Sequence, residues 1–136
     1  MQVSQAVILC GGRGERLRPL TNELPKPMVS VNDRPFLQYL LEQLADNGIN
    51  RFVLLTGYLS EKIVEYFGDG SSWGWSISYS NGPVEWPTTK RIHEALGQID
   101  EQFLLLYSDN FAQLRLSELA QVNSDRNSAM TLSVVR

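Results

Sequence analysis

The sequence predicts an α/β domain with a mainly parallel sheet. Short apolar runs alternate along the chain with segments of helical periodicity, and glycine or polar residues follow most apolar runs. The 136 residues, 43% of them hydrophobic and 20% charged, are typical of one packed globular domain with a single core. Because ligands bind at the carboxyl ends of strands in such sheets, the loops at those ends are the candidate functional segments.

Five apolar runs predict strands, and the fourth is the most strongly apolar: 6–10, 52–55, 75–79, 103–107 and 130–135. A shorter extended piece is predicted over 28–31, ahead of a turn. Four segments between these runs carry apolar residues at helical spacing. We expect Pro35 in the first turn of the first helix, Gly48 at its C-terminal cap, and Ser60 as the cap of the second. Thr88 or Thr89 starts the third, and the fourth runs through 116–122.

Charge and composition exclude several classes of protein. Twelve Lys and Arg residues against 15 Asp and Glu give a net charge of -3, which argues against general affinity for nucleic acid or an anionic membrane. The single cysteine cannot form an internal disulfide, and no apolar stretch is long enough to span a bilayer. The N-terminal residues lack the pattern of a secretion signal, so a cytoplasmic location is expected.

The loop after the first predicted strand concentrates glycine and positive charge. Residues 11–27 contain three glycines, three prolines and four Lys or Arg residues. Glycines that follow a strand let backbone N–H groups approach an anion closely, and arginine can hold two phosphate oxygens at once. The pattern G-G-x-G-x-R is neither the P-loop nor the dinucleotide fingerprint, and a solvated turn with surface arginines is the alternative for Gly-Gly alone.

The full spacing of this loop resembles the signature of the sugar-1-phosphate nucleotidyltransferases, also called nucleotide-sugar pyrophosphorylases. That signature reads L-x-G-G-x-G-T-R-L-x-P-L-T, followed by P-K-P. The matching positions are Leu9, Gly11, Gly12, Gly14, Arg16, Leu17, Pro19, Leu20, Thr21, Pro25, Lys26 and Pro27. The similarity extends over nearly all of the chain and looks most like the branch that makes GDP-heptose, with the mannose-1-phosphate guanylyltransferase branch next. It implies a Rossmann-like three-layer nucleotidyltransferase (GT-A-like) fold, truncated at the C-terminal side.

The resemblance also implies a reaction and a set of site residues. In this family a phosphate oxygen of a sugar 1-phosphate attacks the α-phosphorus of a nucleoside triphosphate, and pyrophosphate leaves. Arg16 would stabilise the pyrophosphate, Lys26 would contact the phosphates between nucleotide and sugar, and Asp109 would bind Mg²⁺. The nucleotide would be held at Leu9, Gly11, Gly12, Gly14, Arg13 and Thr89. Taken alone, Asp109 in Ser-Asp-Asn is equally consistent with a turn or helix-capping residue.

Departures from the family pattern argue against activity. Glu15 replaces a threonine beside the expected triphosphate, and Ser108 replaces a glycine before Asp109. A second glycine-bearing turn is replaced by residues 86–91, where Lys90 and Arg91 would occupy space meant for ligand or else contact phosphate.

The last departure is length, because family catalytic domains continue well beyond this point. We therefore expect residues 1–136 to be the N-terminal nucleotide-binding portion of such a domain, without its sugar-binding part and its second metal-binding aspartate. Surfaces exposed by the truncation predict a homo-oligomer. The alternative to an enzyme is an inactive nucleotide-binding or interaction subunit.

Three other residue types, histidine, cysteine and tryptophan, invite functional interpretations that the sequence does not favour. His93 is expected at the surface or partly buried, and Cys10 as a small buried group. Trp73 and Trp75 are expected in the core, whereas Trp86 could stack on a base or a sugar.

Overall fold

The structure, a computed structural model, describes residues 3–134 and has four parallel strands at its centre. The strands of this sheet are β1 (Gln5–Cys10), β4 (Arg51–Thr56), β5 (Ser76–Asn81) and β6 (Leu104–Tyr107). They lie in the order β5-β4-β1-β6, and every neighbouring pair is parallel. A two-stranded antiparallel hairpin, β2 (Ser30–Val31) with β3 (Arg34–Pro35), forms a separate small sheet.

Three of the four helices in residues 3–134 connect strands, and the fourth follows β6. They are α1 (Phe36–Asp46), α2 (Ser60–Phe67), α3 (Thr88–Glu94) and α4 (Leu116–Asp125). The loop of residues 11–27 contains no regular strand or long helix, as expected, but folds into three single turns of 3-10 helix: Glu15–Leu17, Leu20–Asn22 and Lys26–Met28.

Apolar residues cover both faces of the sheet, which makes the domain three-layered as predicted. Alternate residues of β1 and β4 pack with α1, α2 and α4 on one face; Ile8, Leu54 and Leu41 are fully buried there. The remaining residues of the two strands pack with α3 on the other face, where Val7 and Leu55 contact Ala95. Burial of one such side chain contributes roughly 1.5–3 kcal/mol.

The order of the strands locates the expected ligand crevice. From β1 the chain proceeds outward to β4 and β5, and it then returns to place β6 on the opposite side of β1. The direction of winding therefore reverses between β1 and β6. In open α/β sheets the crevice outside the carboxyl ends at this reversal is where ligands bind. The glycine-rich loop follows β1 and Asp109 follows β6, so both stand at this crevice.

Three local predictions are wrong. Residues 130–134 form no strand, because they pair with none of the strands in residues 3–134, and Leu132 is 74% exposed; Val135 lies outside the described residues. Ser60 is the first residue of α2 and not its cap, since Leu59 precedes the helix with φ of 50°. Pro35 lies in β3 and is the capping residue of α1, not part of its first turn. Helix α3 starts at Thr88, as predicted.

Candidate active site at the carboxyl ends of the strands

The glycine-rich loop is held in one conformation by hydrogen bonds that use its own backbone. Gly14 adopts φ of 61°, in the left-handed region that glycine enters without strain. Its carbonyl accepts the Thr21 hydroxyl at 2.7 Å and the Leu17 N–H at 3.0 Å. The Tyr58 hydroxyl, from the loop after β4, donates to the Thr21 carbonyl at 2.7 Å. The glycine-rich loop is therefore braced from the loop that follows the neighbouring strand β4.

Lys26 and Asp109 meet across the crevice. The Lys26 Nζ lies 3.1 Å from the Asp109 Oδ2, although the two residues are 83 positions apart in sequence. Both side chains keep about two fifths of their surface in solvent, so water screens the pair and it adds little to stability. A cation and a carboxylate that are half-exposed and adjacent are suited to separate and receive a phosphate and a metal ion respectively.

A small cavity adjoins this pair. It has a volume of about 200 Å³ and is bounded by Lys26, Ser108 and Asp109 on its polar side. Its other walls are apolar: Leu17, Val29, Val31 and Phe36. A larger depression of about 370 Å³ lies at the other end of the sheet, near Val3 and α4, away from these groups. Because Lys26 and Asp109 line the smaller cavity, we take that cavity as the candidate site.

The arginines of the loop point toward solvent. Arg16 and Arg18 are exposed, and Arg18 lies 3.6 Å from Glu15 as an i,i+3 ion pair. The charge that Glu15 places in the loop thus has a cation beside it. Arg13 lies 3.7 Å from Glu85, which links the loop to the segment before α3. Arg16 has no ion pair or side-chain hydrogen bond with the described part of the chain.

Arg91 is buried, which the sequence did not reveal. Its side chain extends from α3 to the carboxyl ends of β1 and β4, and only 7% of the residue is exposed. The guanidinium donates to the carbonyls of Thr56 at 2.9 Å, Pro83 at 2.7 Å and Val84 at 3.3 Å. Burial lowers the pKa of Arg91, and the Glu85 carboxylate acts in the opposite direction. Arg91 thus fills space beside the glycine-rich loop, whereas Lys90, for which the same was expected, is exposed and lies over the Trp86 ring.

The remaining predicted residues have these positions. Leu9 is buried in β1, and its carbonyl accepts the Ser108 N–H at 3.2 Å. Gly11 is buried and Gly12 exposed, while Thr89 is exposed in the first turn of α3. His93 is exposed and Trp75 buried, as expected, and Trp73 stacks on Trp75.

Cys10 is a buried free thiol beneath the crevice. Burial raises its pKa to about 12, against a smaller opposing effect of the hydrogen bond with Ser108. A thiol that stays protonated at neutral pH is not a nucleophile, so Cys10 is a packing residue, as predicted.

Asp109 is the one candidate metal ligand at the crevice. Within residues 3–134 no group of three or more His, Cys, Asp and Glu side chains could enclose a metal ion. Mg²⁺ does not need such a group, because it commonly binds one or two carboxylates and completes its shell with phosphate oxygens and water. Asp109 therefore fits a metal that arrives with a nucleotide.

The helices of the described part of the chain include none long and apolar enough to cross a membrane.

Two residues brace the site in a way that the sequence did not reveal, although Thr21 belongs to the family signature. Tyr58 and Thr21 fix the glycine-rich loop through hydrogen bonds to main-chain carbonyls. A tyrosine after a buried strand is as consistent with packing as with loop bracing, so only the three-dimensional contact reveals the role.

Comparison with known proteins places this arrangement in a family. A family model described as "Nucleotidyl transferase" matches residues 5–136. The chain is 35% identical to the "Probable glucose-1-phosphate cytidylyltransferase" of Bacillus subtilis (strain 168), over 95% of this chain and 59% of that relative. It is 39% identical to the "D-glycero-alpha-D-manno-heptose 1-phosphate guanylyltransferase" of Campylobacter jejuni, over 85% of this chain and 52% of that one.

A solved structure gives the same result for the fold. The crystal structure of HddC from Yersinia pseudotuberculosis complexed with GMP-PN superposes with a TM-score of 0.77 and 27% identity, covering 90% of this chain and 55% of that one. The chain thus spans between about half and three fifths of the length of these three proteins. On the match over residues 5–136 and on these identities, the chain belongs to the nucleotidyl transferase family, alongside sugar-1-phosphate nucleotidyltransferases.

Proposed function

We propose that the chain is the nucleotide-binding part of a sugar-1-phosphate nucleotidyltransferase. A nucleoside triphosphate would lie in the crevice between β1 and β6, and its nucleotidyl group would pass to a sugar 1-phosphate with release of pyrophosphate. The observation that carries this proposal is the contact of Lys26 with Asp109 at 3.1 Å, beside the glycine-rich loop. It joins the two loops that flank the winding reversal of the sheet, where a nucleotide is expected.

Each charged group has a part in the proposed reaction. Displacement at phosphorus depends on alignment and on neutralising charge, and the attacking phosphate oxygen needs no general base. Lys26 would leave Asp109 to contact the phosphates, and Asp109 would then bind Mg²⁺, which neutralises charge on the triphosphate. Arg16, exposed and without a partner among residues 3–134, would reach the leaving pyrophosphate. The backbone of Gly11, Gly12 and Gly14 would hold the nucleotide, aided by Leu9, Arg13 and Thr89.

The guanylyltransferase relative and the GMP-PN complex favour GTP, with a heptose or hexose 1-phosphate as acceptor. The chain matches about half the length of these two proteins. We therefore propose that sugar binding and a second metal-binding aspartate belong to the other half of such a protein. We also propose a cytoplasmic location, in line with the expectation from the sequence. We further propose that the chain self-associates through the open edge of β6.

A second candidate function is nucleotide binding without turnover, in a regulatory or assembling subunit. The burial of Arg91 between the ends of β1 and β4 favours it, since that side chain fills space beside the nucleotide loop.

Pyrophosphate release decides between the two candidates. Five nucleoside triphosphates (GTP, CTP, UTP, dTTP and ATP) would each be incubated with Mg²⁺ and with mannose, glucose or heptose 1-phosphate. Turnover that is lost in Arg16→Ala supports the enzyme. If no pair releases pyrophosphate but GTP with Mg²⁺ still binds, this chain alone binds nucleotide without turnover, and the same assay with the sugar-binding part supplied as a second polypeptide shows whether turnover needs that part. Absence of any nucleotide binding would contradict both.

A further inference from the structure

Arg91 occupies a cleft that is built to receive a flat group with hydrogen-bond donors. The cleft lies on the β4 side of the glycine-rich loop, whereas Lys26 and Asp109 lie on the β6 side. A Cβ atom placed on Gly11 would lie 2.5 Å from the Arg91 Cζ, and one on Gly57 would lie 2.9 Å from its Nη2. The planar guanidinium thus lies directly on backbone that carries no side chain, while carbonyls at its edge accept its N–H groups.

The electrostatics of this position are unfavourable for arginine. Arginine remains charged in proteins, and a buried charge is costly unless it is paired. No carboxylate of residues 3–134 lies within ion-pair distance of Arg91. The three hydrogen bonds leave from the two terminal nitrogens, Nη1 and Nη2, and the Nε–H, which keeps contact with solvent, has no partner among the same residues. A guanidinium held in this way gains hydration when it leaves the cleft.

Two of the three carbonyls that Arg91 contacts also accept a main-chain N–H. The Thr56 carbonyl also accepts the Gly82 N–H at 3.1 Å, and the Pro83 carbonyl also accepts the Trp86 N–H at 3.1 Å. Departure of the guanidinium therefore leaves these two carbonyls bonded, each with one lone pair free for a ligand. The exposed ion pair of Arg13 with Glu85 is a weak link between the glycine-rich loop and the segment above the cleft.

We propose that Arg91 is a guanine mimic that fills the cleft for the nucleobase and is displaced by guanine itself. This rests on the proposed function, because it assumes that the glycine-rich loop binds a nucleotide. Guanine carries an imino N–H and an amino group on one carbon, so its edge has the same guanidine-like donor arrangement as arginine. Uracil and thymine present two carbonyls beside a single N–H, and those oxygens would oppose the carbonyls of Thr56 and Pro83.

Nucleotide titrations of three proteins test this: the unaltered chain, Arg91→Ala and Lys90→Ala, each with GTP and with UTP in the presence of Mg²⁺. If Arg91 fills the cleft more than about nine-tenths of the time, its removal tightens GTP binding roughly tenfold or more. UTP binding should tighten less. Lys90→Ala removes the same charge from the neighbouring, exposed position and should leave both affinities unchanged.

The contrary outcomes separate the two proposals. If Arg91→Ala, shown by its melting curve to be folded, binds GTP no tighter than the unaltered chain, then Arg91 is a brace and this inference is wrong. Equal tightening for GTP and UTP would also overturn it. If none of the three proteins binds any nucleotide, the proposed function itself fails. Should Arg91→Ala not fold, Arg91→Met keeps the aliphatic stem, lacks the donors and is judged by the same criteria.

Discussion

Gly12 and Gly14 lie two residues apart, yet the structure requires glycine only at the second. At Gly14 φ is 61°, and a Cβ would lie 2.9 Å from the Thr21 Cγ2 and 3.0 Å from the Lys26 Cβ. At Gly12 a Cβ would meet nothing within 4 Å. The fold of the loop therefore requires glycine at position 14, whereas a requirement for glycine at position 12 would come from a bound ligand.

This difference predicts opposite results for two alanine substitutions. Gly14→Ala should lower the free energy of unfolding by about 1–3 kcal/mol, through backbone strain and the two close contacts. Gly12→Ala should change that free energy by less than about 0.5 kcal/mol but weaken GTP binding, because its methyl group would stand where phosphate approaches the backbone. Urea unfolding and GTP titration measure the two effects. Unchanged GTP affinity in Gly12→Ala would exclude this part of the loop from the site.

Cys10 and Tyr79 predict loss of stability at alkaline pH. Burial raises the pKa of Cys10 from 9.0 to about 12, and burial is also the main cause that raises the pKa of Tyr79 from 10.0 to about 12. Both groups are neutral when protonated, so the folded state favours their protonated forms. Their stabilising contribution is complete below the unfolded-state values, near pH 9 and 10, and is lost as the pH rises toward about 12.

The free energy of unfolding should therefore fall above pH 9 by up to about 1.4 kcal/mol per pH unit for each group. Urea unfolding at several values between about pH 8 and pH 11 measures this slope. Cys10→Ala and Tyr79→Phe should each make it shallower, and Tyr107→Phe, at an exposed tyrosine, is the control that should not. A slope that neither substitution reduces would contradict the assignment to these two groups.

Among the elements, helix α1 shows how local sequence determines an end. Four of its leucines are buried on one face, at the spacing of a helix: Leu37, Leu40, Leu41 and Leu44. Beyond Asn47, Gly48 takes φ of 87°, and its N–H donates to the Ala45 carbonyl at 2.9 Å. This left-handed residue terminates the helix and directs Ile49 back into the core.

Gly48→Ala should therefore destabilise the domain by about 1–2 kcal/mol through backbone strain alone, since nothing lies within 4 Å of the added Cβ. Gly97→Ala is the matched control, because Gly97 has equally open space but no positive φ. Thermal unfolding of the two variants compares them directly. Equal melting temperatures would show that the turn after α1 does not depend on the left-handed conformation.

The sequence predicts elements better than it predicts their partners. Periodicity located the helices and four of the five apolar strands, because side-chain alternation and helical spacing are local properties. It failed at 130–134, where the alternating pattern is present but no strand in residues 3–134 pairs with it. The run at 103–107 is strongly apolar, yet β6 lies at an edge of the sheet, with Leu105 43% exposed. Apolar content does not reveal whether a strand has one neighbour or two.

The same limit applies to the candidate site. The family resemblance identified Lys26 and Asp109 as separate site residues. It did not predict their contact at 3.1 Å, which depends on the position of β6 next to β1. The inward direction of Arg91 was not predictable, since its neighbours Lys90 and His93 on α3 are exposed. Which side of a short helix is buried depends on the packing of the sheet beneath it.

At the scale of the whole molecule, the two edges of the sheet differ in character. The β5 edge carries polar residues, including Ser76, Ser78 and Asn81. The β6 edge exposes Leu105 and Tyr107, which are 43% and 56% accessible. In the parallel register these two residues pair with Val7 and Leu9 and so share the face of the sheet that α3 covers. No strand among residues 3–134 pairs with the outer side of β6. An unpaired edge with apolar side chains favours pairing with another strand, and a second copy can supply it across a two-fold axis.

We therefore predict that the chain self-associates weakly through β6. The two side chains are already about half buried, so each gains only about 1 kcal/mol on further burial, and association itself costs several kcal/mol. Main-chain hydrogen bonds between two β6 strands must supply the remainder, which gives an affinity in the micromolar range or weaker. Sedimentation velocity over a range of concentrations should show a dimer that dissociates on dilution.

Leu105→Lys should give a monomer, because it places like charges opposite each other at the new pairing. Leu132→Lys is the control, at a residue 74% exposed and outside any strand, and it should still dimerise. A strictly monomeric unaltered chain, or equal dissociation by both lysine substitutions, would show that the open edge of β6 is not the contact.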